Sequence, residues 1–177
     1  MLIKWIRCQV EPENKERFRI AQARWRALHG LPGFLGQAGG WNEQNPLEAC
    51  IVSFWESEEL YRNFMKHDHD AILEKTEQIH TNSQISVLLY KGSLSMENDP
   101  LPFPERLSSI VQRYLVMTVS HGVEEALSLR EDALLLASGQ SDRQPNEAIQ
   151  VWLDLIPVRD LSLKSTSFYL EKTWLVN

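Results

Sequence analysis

Cysteine is scarce in this sequence. Two thiols in 177 residues, Cys8 and Cys50, cannot build a disulfide framework. Basic charge is in deficit too: 18 Lys+Arg stand against 24 Asp+Glu, a formal charge of −6. That balance argues against a nucleic-acid partner, which needs a clustered basic face. No apolar run reaches the roughly 20 residues needed to cross a bilayer, so no membrane partner is expected. The opening Met1-Leu2-Ile3-Lys4-Trp5 has no basic stretch leading into an apolar core, so it does not read as a signal peptide. A cytoplasmic location is the expectation. What the chain does have is ordinary globular material, 43% hydrophobic and 24% charged, in a length that suits one domain or two small ones.

The first ninety residues alternate cleanly. Leu2, Ile6, Cys8 and Val10 share one face of an extended segment, and Trp5, Arg7 and Gln9 share the other. Pro12 opens a helix on which Phe18, Ala21, Trp25 and Leu28 form one stripe, and Gly30-Leu31-Pro32-Gly33 ends it. Phe34 to Trp41 is a glycine-rich strand whose glycines suit a bulge or the close approach of another group. After a turn at Asn45-Pro46, Ala49 to Trp55 is a β-branched and aromatic strand. Ser57 is placed to cap a helix carrying Leu60, Tyr61, Phe64 and Met65 on one side. The polar run Lys66 to Asp70 interrupts that helix before Ile72, Leu73, Thr76 and Ile79, and Ile85, Val87 and Leu89 mark a last strand ending at Gly92. The order β-α-β-β-α-β is that of an α+β, ferredoxin-like unit.

Three prolines, Pro100, Pro102 and Pro104, then mark a connector. Beyond it the pattern restarts: Ile110 to Ser120 as a strand, Glu124 to Ala137 as a helix, Ser138 to Asn146 as a loop, Ala148 to Ile156 as a strand and Ser167 to Val176 as a final strand. Taking Val119 and Trp152 as counterparts of Val10 and Trp55, the second half is 12 residues shorter, the length of Leu31–Asn42. The expectation is a complete unit at 1–92, a linker at 93–107 and a degenerate second copy at 108–177 lacking one strand and much of one helix. The two would make a pseudo-dimer within one chain; pairing of whole chains into a homodimer stays open.

The segments Arg7-Cys8-Gln9-Val10, Leu31-Pro32-Gly33-Phe34 and Phe54-Trp55-Glu56-Ser57 resemble those of the antibiotic-biosynthesis-monooxygenase-like (ABM) domains, closest to an uncharacterised bacterial branch. The resemblance implies a dimeric α+β barrel, two ferredoxin-like sheets facing each other, with a small-molecule cleft between helices and sheet. Some members oxidise aromatic substrates without metal or flavin, and others degrade haem. The haem-degrading members use an Asn, a Trp and a His at positions that here hold Ile6, Phe64 and Glu74, so that activity is not expected. No cofactor is expected.

Candidate site residues follow. His67-Asp68-His69-Asp70 carries two imidazoles, but residues two apart on a helix diverge, so the run reads as a solvated helix break and no metal is expected. His69 resembles the family's recurrent His after the Trp-Glu-Ser helix start and is the candidate acid–base group, with His67 beside it. Trp5, Trp41, Trp55 and Phe64 are candidates for stacking on a planar ligand, each weighed against plain core or interface packing, whereas Trp25 reads as core. Arg7, on the face of Trp5, suits either a buried carboxylate, an anionic ligand or solvent. Cys8 and Cys50 read as buried, reduced thiols. Two functions fit: an ABM-like protein binding a small apolar or aromatic molecule, with cofactor-independent monooxygenation as its activity, or a non-catalytic module whose pocket is filled by Ile6 and Phe64.

Overall fold

The architecture comes from a computed structural model, which describes residues 1–95, 103–108, 114–121, 133–155, 157 and 165–177. The first half runs β1 (Leu2–Gln9), α1 (Lys15–Ala23), β2 (Phe34–Asn42), β3 (Glu48–Trp55), α2 (Glu58–His67), α3 (His69–Thr76) and β4 (Gln84–Leu94). The second runs α4 (Phe103–Ser108), β5 (Tyr114–His121), β6 (Leu134–Ser141), β7 (Glu147–Asp154) and β8 (Ser165–Leu170). The eight strands close into one antiparallel barrel in the order β1-β3-β2-β8-β5-β7-β6-β4. Each half contributes its own sheet, β4-β1-β3-β2 and β8-β5-β7-β6, and β2 meets β8 while β4 meets β6 at the two seams. This is the expected α+β pair of ferredoxin-like sheets facing each other as in a dimeric α+β barrel.

The seams dictate glycine. A Cβ on Gly40 would lie 1.9 Å from the Tyr169 carbonyl oxygen, and one on Gly92 would lie 1.9 Å from that of Ser138. Both distances are far inside van der Waals contact, so any side chain there forces the sheets apart.

The second half departs from expectation in two places: the last strand stops at Leu170 and not at Val176, and a further strand appears where none was expected. Leu134 to Ala137 is not the end of a helix, and Ser138 to Ser141 is not a loop; together they form β6, paired with β7 on one side and β4 on the other. The second copy therefore keeps all four strands. The missing length lies in both crossovers: residues 122–133 stand in place of residues 10–33, and residues 155–164 in place of residues 56–83. The expected helix from Glu124 falls, up to residue 132, outside the described residues. The true correspondence is written in the turns Asn45-Pro46-Leu47-Glu48-Ala49 and Gln144-Pro145-Asn146-Glu147-Ala148, where Glu48 N donates to Asn45 O and Glu147 N to Gln144 O, both at 2.8 Å. On that match Trp55 corresponds to Asp154, two residues beyond Trp152.

The stretch read as a connector also does more than connect. β4 continues to Leu94, and Phe103 and Leu107 of α4 enter the core at one end of the barrel. Phe103 meets Phe54 edge-on at 4.8 Å, and Leu107 fills the space that the bulged Gly36 (φ +151°) leaves open. Ile3, Trp5, Val52, Phe54, Leu115, Met117, Val151 and Phe168 complete the interior. On the outer face of the first sheet, Leu2, Cys8 and Val10 pack beneath the helices, as the alternation in β1 requires. The chain end folds back there: beyond β8 a 3-10 turn sets Trp174 against Phe18 and Trp41, and Val176 pairs with Gln37. Among the described residues no helix is long and apolar enough to cross a membrane.

Candidate functional site

Between the first sheet and its helices lies a cleft of about 470 Å³. Its floor is the helix-facing side of β1, β3, β2 and β4, represented by Lys4, Ile6, Ser53, Gln37 and Val87. Its roof comes from the turn after α1 (Trp25, Leu28), from α2 (Tyr61, Phe64, Met65) and from α3 (His69, Leu73). Ile79 and Ile85, both at least half exposed, also line it.

Local sequence sets this geometry. Ser57 Oγ accepts from Leu60 N at 3.1 Å and fixes the start of α2, with Glu58 and Glu59 in its first turn beside the positive end of the dipole. Tyr61 and Phe64, three residues apart, then face inward. Phe64 stacks on Trp55 with ring centres 4.9 Å apart, and Tyr61 meets Trp55 edge-on at 5.6 Å. The interruption expected at Lys66 to Asp70 is a break at Asp68, after which α3 restarts at His69. The break turns the His69 ring between Trp25 and Phe64, 5.7 Å from each. His69 Nδ1 donates to Asp70 at 2.8 Å, which leaves Nε2 as the nitrogen able to take a proton. A short amide chain stiffens the roof: Trp25 Nε1 donates to Gln78 at 2.5 Å, and Gln78 Nε2 donates to Gln22 at 2.8 Å.

The floor holds an unexpected polar row. Ser53 pairs with Lys4 on one side and with Gln37 on the other, so Lys4, Ser53 and Gln37 stand abreast on three adjacent strands. All three are buried, Lys4 to 8% exposure and the others to 4%. The Lys4 ammonium lies 5.2 Å from the Tyr61 ring centre and has no hydrogen bond or ion pair among the described residues. Burial pulls its pKa from 10.5 down to about 8, outweighing the opposing influence of Cys8. Burial likewise pushes the Cys8 thiol up to about 12, leaving it protonated and a poor nucleophile. Gln37 Nε2 is buried without a hydrogen-bond partner among the described residues.

Of the residues singled out from sequence, His69, Phe64 and Trp55 come together in the cleft. The others lie elsewhere. Trp5 points into the barrel, where its Nε1 donates to Cys50 Sγ. Trp41 belongs to the cluster with Phe18 and Trp174. Arg7 takes the buried-carboxylate option, its guanidinium 2.6 Å from Glu48. His67 is exposed at the end of α2. Trp25, read as core, is half-buried and lines the cleft. Ile6 and Phe64 form walls and leave the space between them open. Cys8 and Cys50 are both buried and unpaired as thiols. No group of three metal-ligating side chains occurs among the described residues. Lys4, Ser53 and Gln37 escaped the sequence reading, although Lys4 is the one charged residue on the otherwise apolar face of β1.

Comparison with known proteins agrees with the architecture. The chain is similar to a "putative monooxygenase" from Fusobacterium nucleatum subsp. nucleatum ATCC 25586, with TM-score 0.67 and 11% identity over 99% of this chain and 94% of that one. It is similar to another so described from Lactobacillus acidophilus NCFM, with TM-score 0.64 and 9% identity over 99% and 95%. At such identities the likeness shows the fold, an ABM-like α+β barrel spanning the whole chain. In sequence the chain is 40% identical to the Bacillus subtilis (strain 168) "Uncharacterized protein YdbC" over 107 residues, 59% of this chain and 90% of that protein. Residues 2–90, which carry the cleft floor, α2 and α3, match the family described as Domain of unknown function (DUF4937), and the chain belongs to that family.

Proposed function

We propose that the cleft binds a small, planar aromatic or apolar molecule and that the protein is a cofactor-independent monooxygenase acting on it. The observation behind this reading is the aromatic wall of Trp25, Trp55, Tyr61 and Phe64 around an open volume of about 470 Å³. Offset stacking on such rings holds a flat ligand in one plane. Without metal or flavin, the substrate itself supplies the electrons. A methylene flanked by aromatic rings gives up two hydrogens to O2 and gains one oxygen atom as a carbonyl, and the second oxygen leaves as water. The protein's part is to orient the ring, exclude bulk water and take the first proton, the last a role for His69 Nε2.

The test is a thermal-shift screen of hydroxyarenes and anthrone-like tricycles, followed by O2 consumption with each binder. Turnover that falls at least tenfold in His69→Ala, while binding persists, supports the reading. Binding without O2 uptake would instead favour a non-catalytic binding module, and no binding from the whole panel would end both.

A further inference from the structure

The floor of the cleft carries three hydrogen-bond donors that the described residues leave unused. Lys4 has three ammonium protons and no hydrogen-bonding partner among the described residues. Gln37 Nε2 is buried and likewise unsatisfied among the described residues. Ser53 Oγ already accepts from Trp55 Nε1 at 3.3 Å, so the hydroxyl proton is left to donate. Because Ser53 pairs with both Lys4 and Gln37, the three side chains rise from one line across β1, β3 and β2. Neighbouring strands lie about 4.8 Å apart, so the two long side chains can converge over the short serine between them.

A buried donor left unpaired costs free energy, and a buried cation without an anion costs more. We propose that the row Lys4–Ser53–Gln37 is a carboxylate receptor, so that the ligand of the cleft is an aromatic or apolar monocarboxylic acid with its acid end on the sheet and its body among the aromatic rings. The inference rests on the reading of the cleft as a small-molecule site and adds the polar end of that molecule. The rest of the lining sets the charge at one. Among the described residues no arginine or second lysine lines the cleft, so a phosphate dianion would find too little positive charge. A neutral hydroxyl would leave the ammonium uncompensated. The lowered pKa of about 8 still leaves Lys4 largely protonated at neutral pH, as an anion receptor requires and an amine nucleophile does not. Among the described residues the other titratable groups lining the cleft are Cys8 beneath it and Tyr61 and His69 above it, and none of them brings a negative charge that would satisfy Lys4 at neutral pH.

The test uses the full chain and two probes of the same shape, 2-naphthoate and the neutral 2-naphthamide, titrated by tryptophan fluorescence at pH 7. The expected result is that wild type binds naphthoate about tenfold or more tightly than naphthamide, as a charge-assisted contact predicts. Lys4→Met should bring the two affinities within about twofold by weakening naphthoate alone, and Gln37→Leu should lose part of the preference. Lys4→Arg, which keeps the charge, should retain most of it. Equal binding of the two probes by wild type overturns the carboxylate receptor and leaves the apolar cleft standing, and needs no variant to fold. Failure of both probes to bind overturns the receptor and the cleft reading together.

Discussion

Glu48 and Glu147 hold the same place in the two halves, each closing a turn of the same pattern, yet they are engaged differently. Glu48 is gripped within its own half, by Arg7 at 2.6 Å and by Asn42 Nδ2 at 2.5 Å. Glu147 reaches across to the first half and accepts from the Tyr90 hydroxyl at 2.9 Å. Burial and that carboxylate together hold the Tyr90 phenol well above its ordinary pKa, so it stays a donor throughout the physiological range.

Removing one or the other member of the Arg7–Glu48 pair should therefore have unequal effects. Arg7 is 42% exposed at its side chain, so Arg7→Ala is expected to cost under about 1 kcal/mol. Glu48→Ala strips the buried Asn42 amide of its acceptor as well and should cost about 1–3 kcal/mol. Urea unfolding of both variants measures the order, and a larger loss in Arg7→Ala would refute it.

Replacing glycine at a seam should damage the whole barrel. Gly40→Ala and Gly92→Ala each push a methyl group into a backbone carbonyl of the other sheet, and a loss of about 2–3 kcal/mol or more is expected. Gly30, with φ +79° and open space around it, is the control; Gly30→Ala should cost only about 1 kcal/mol, from backbone strain. Comparable melting temperatures for all three variants would contradict the seam argument.

Lys4 makes the ligand-free protein pay for its readiness. The side chain titrates near 10.5 when unfolded and near 8 when folded, so between those values the unfolded chain holds the extra proton and stability rises with pH. Below pH 8 the penalty is complete, on the order of 3 kcal/mol. Lys4→Met should accordingly be more stable than wild type at pH 7, with the gap narrowing toward pH 10.5. The raised acids Cys8, Tyr61 and Tyr90 act in the opposite sense, because the unfolded chain loses those protons first, and they remain in both proteins. A gap that stays constant from pH 7 to 10.5 would show that Lys4 carries no such penalty.

The cap of α2 can be weighed separately from the cleft. Ser57→Ala should cost about 1 kcal/mol, and Ser57→Asp should recover most of it. Circular dichroism melts of the three proteins provide the comparison; equal melts would mean that packing of Tyr61 and Phe64 alone fixes the helix.

Much of the first half was legible because its periods are unmixed. The alternation in β1, the stripe through Tyr61 and Phe64 and the polar break at Asp68 each point to one structure. β6 was not legible. Leu134 to Ala137 favours helix by propensity and Ser138-Gly139-Gln140-Ser141 favours a loop, yet pairing with β4 and β7 makes one strand of both. Small residues are needed there for a reason no single strand reveals: Gly139 sits against Gly92 at the seam, and a Cβ on it would come within 3.0 Å of the Lys91 carbonyl oxygen. Trp5 and Trp41 were drawn into the candidate site by residue type, but strand parity sends Trp5 into the barrel, and the chain end covers Trp41. Lys4 was overlooked for the opposite reason, since a charge amid Leu2, Ile6, Cys8 and Val10 looks like a flaw in a pattern until its neighbours across the sheet are known.

The closed tandem barrel has a consequence for how such a protein changes. In an assembly of two identical chains every substitution appears twice, and a residue that suits one cleft is imposed on its symmetry mate. Here the two sheets are encoded separately, so the first crossover of one half could shrink to half its length without touching the other. Lys4, Ser53 and Gln37 are written once, and the burden of an uncompensated buried charge is carried once.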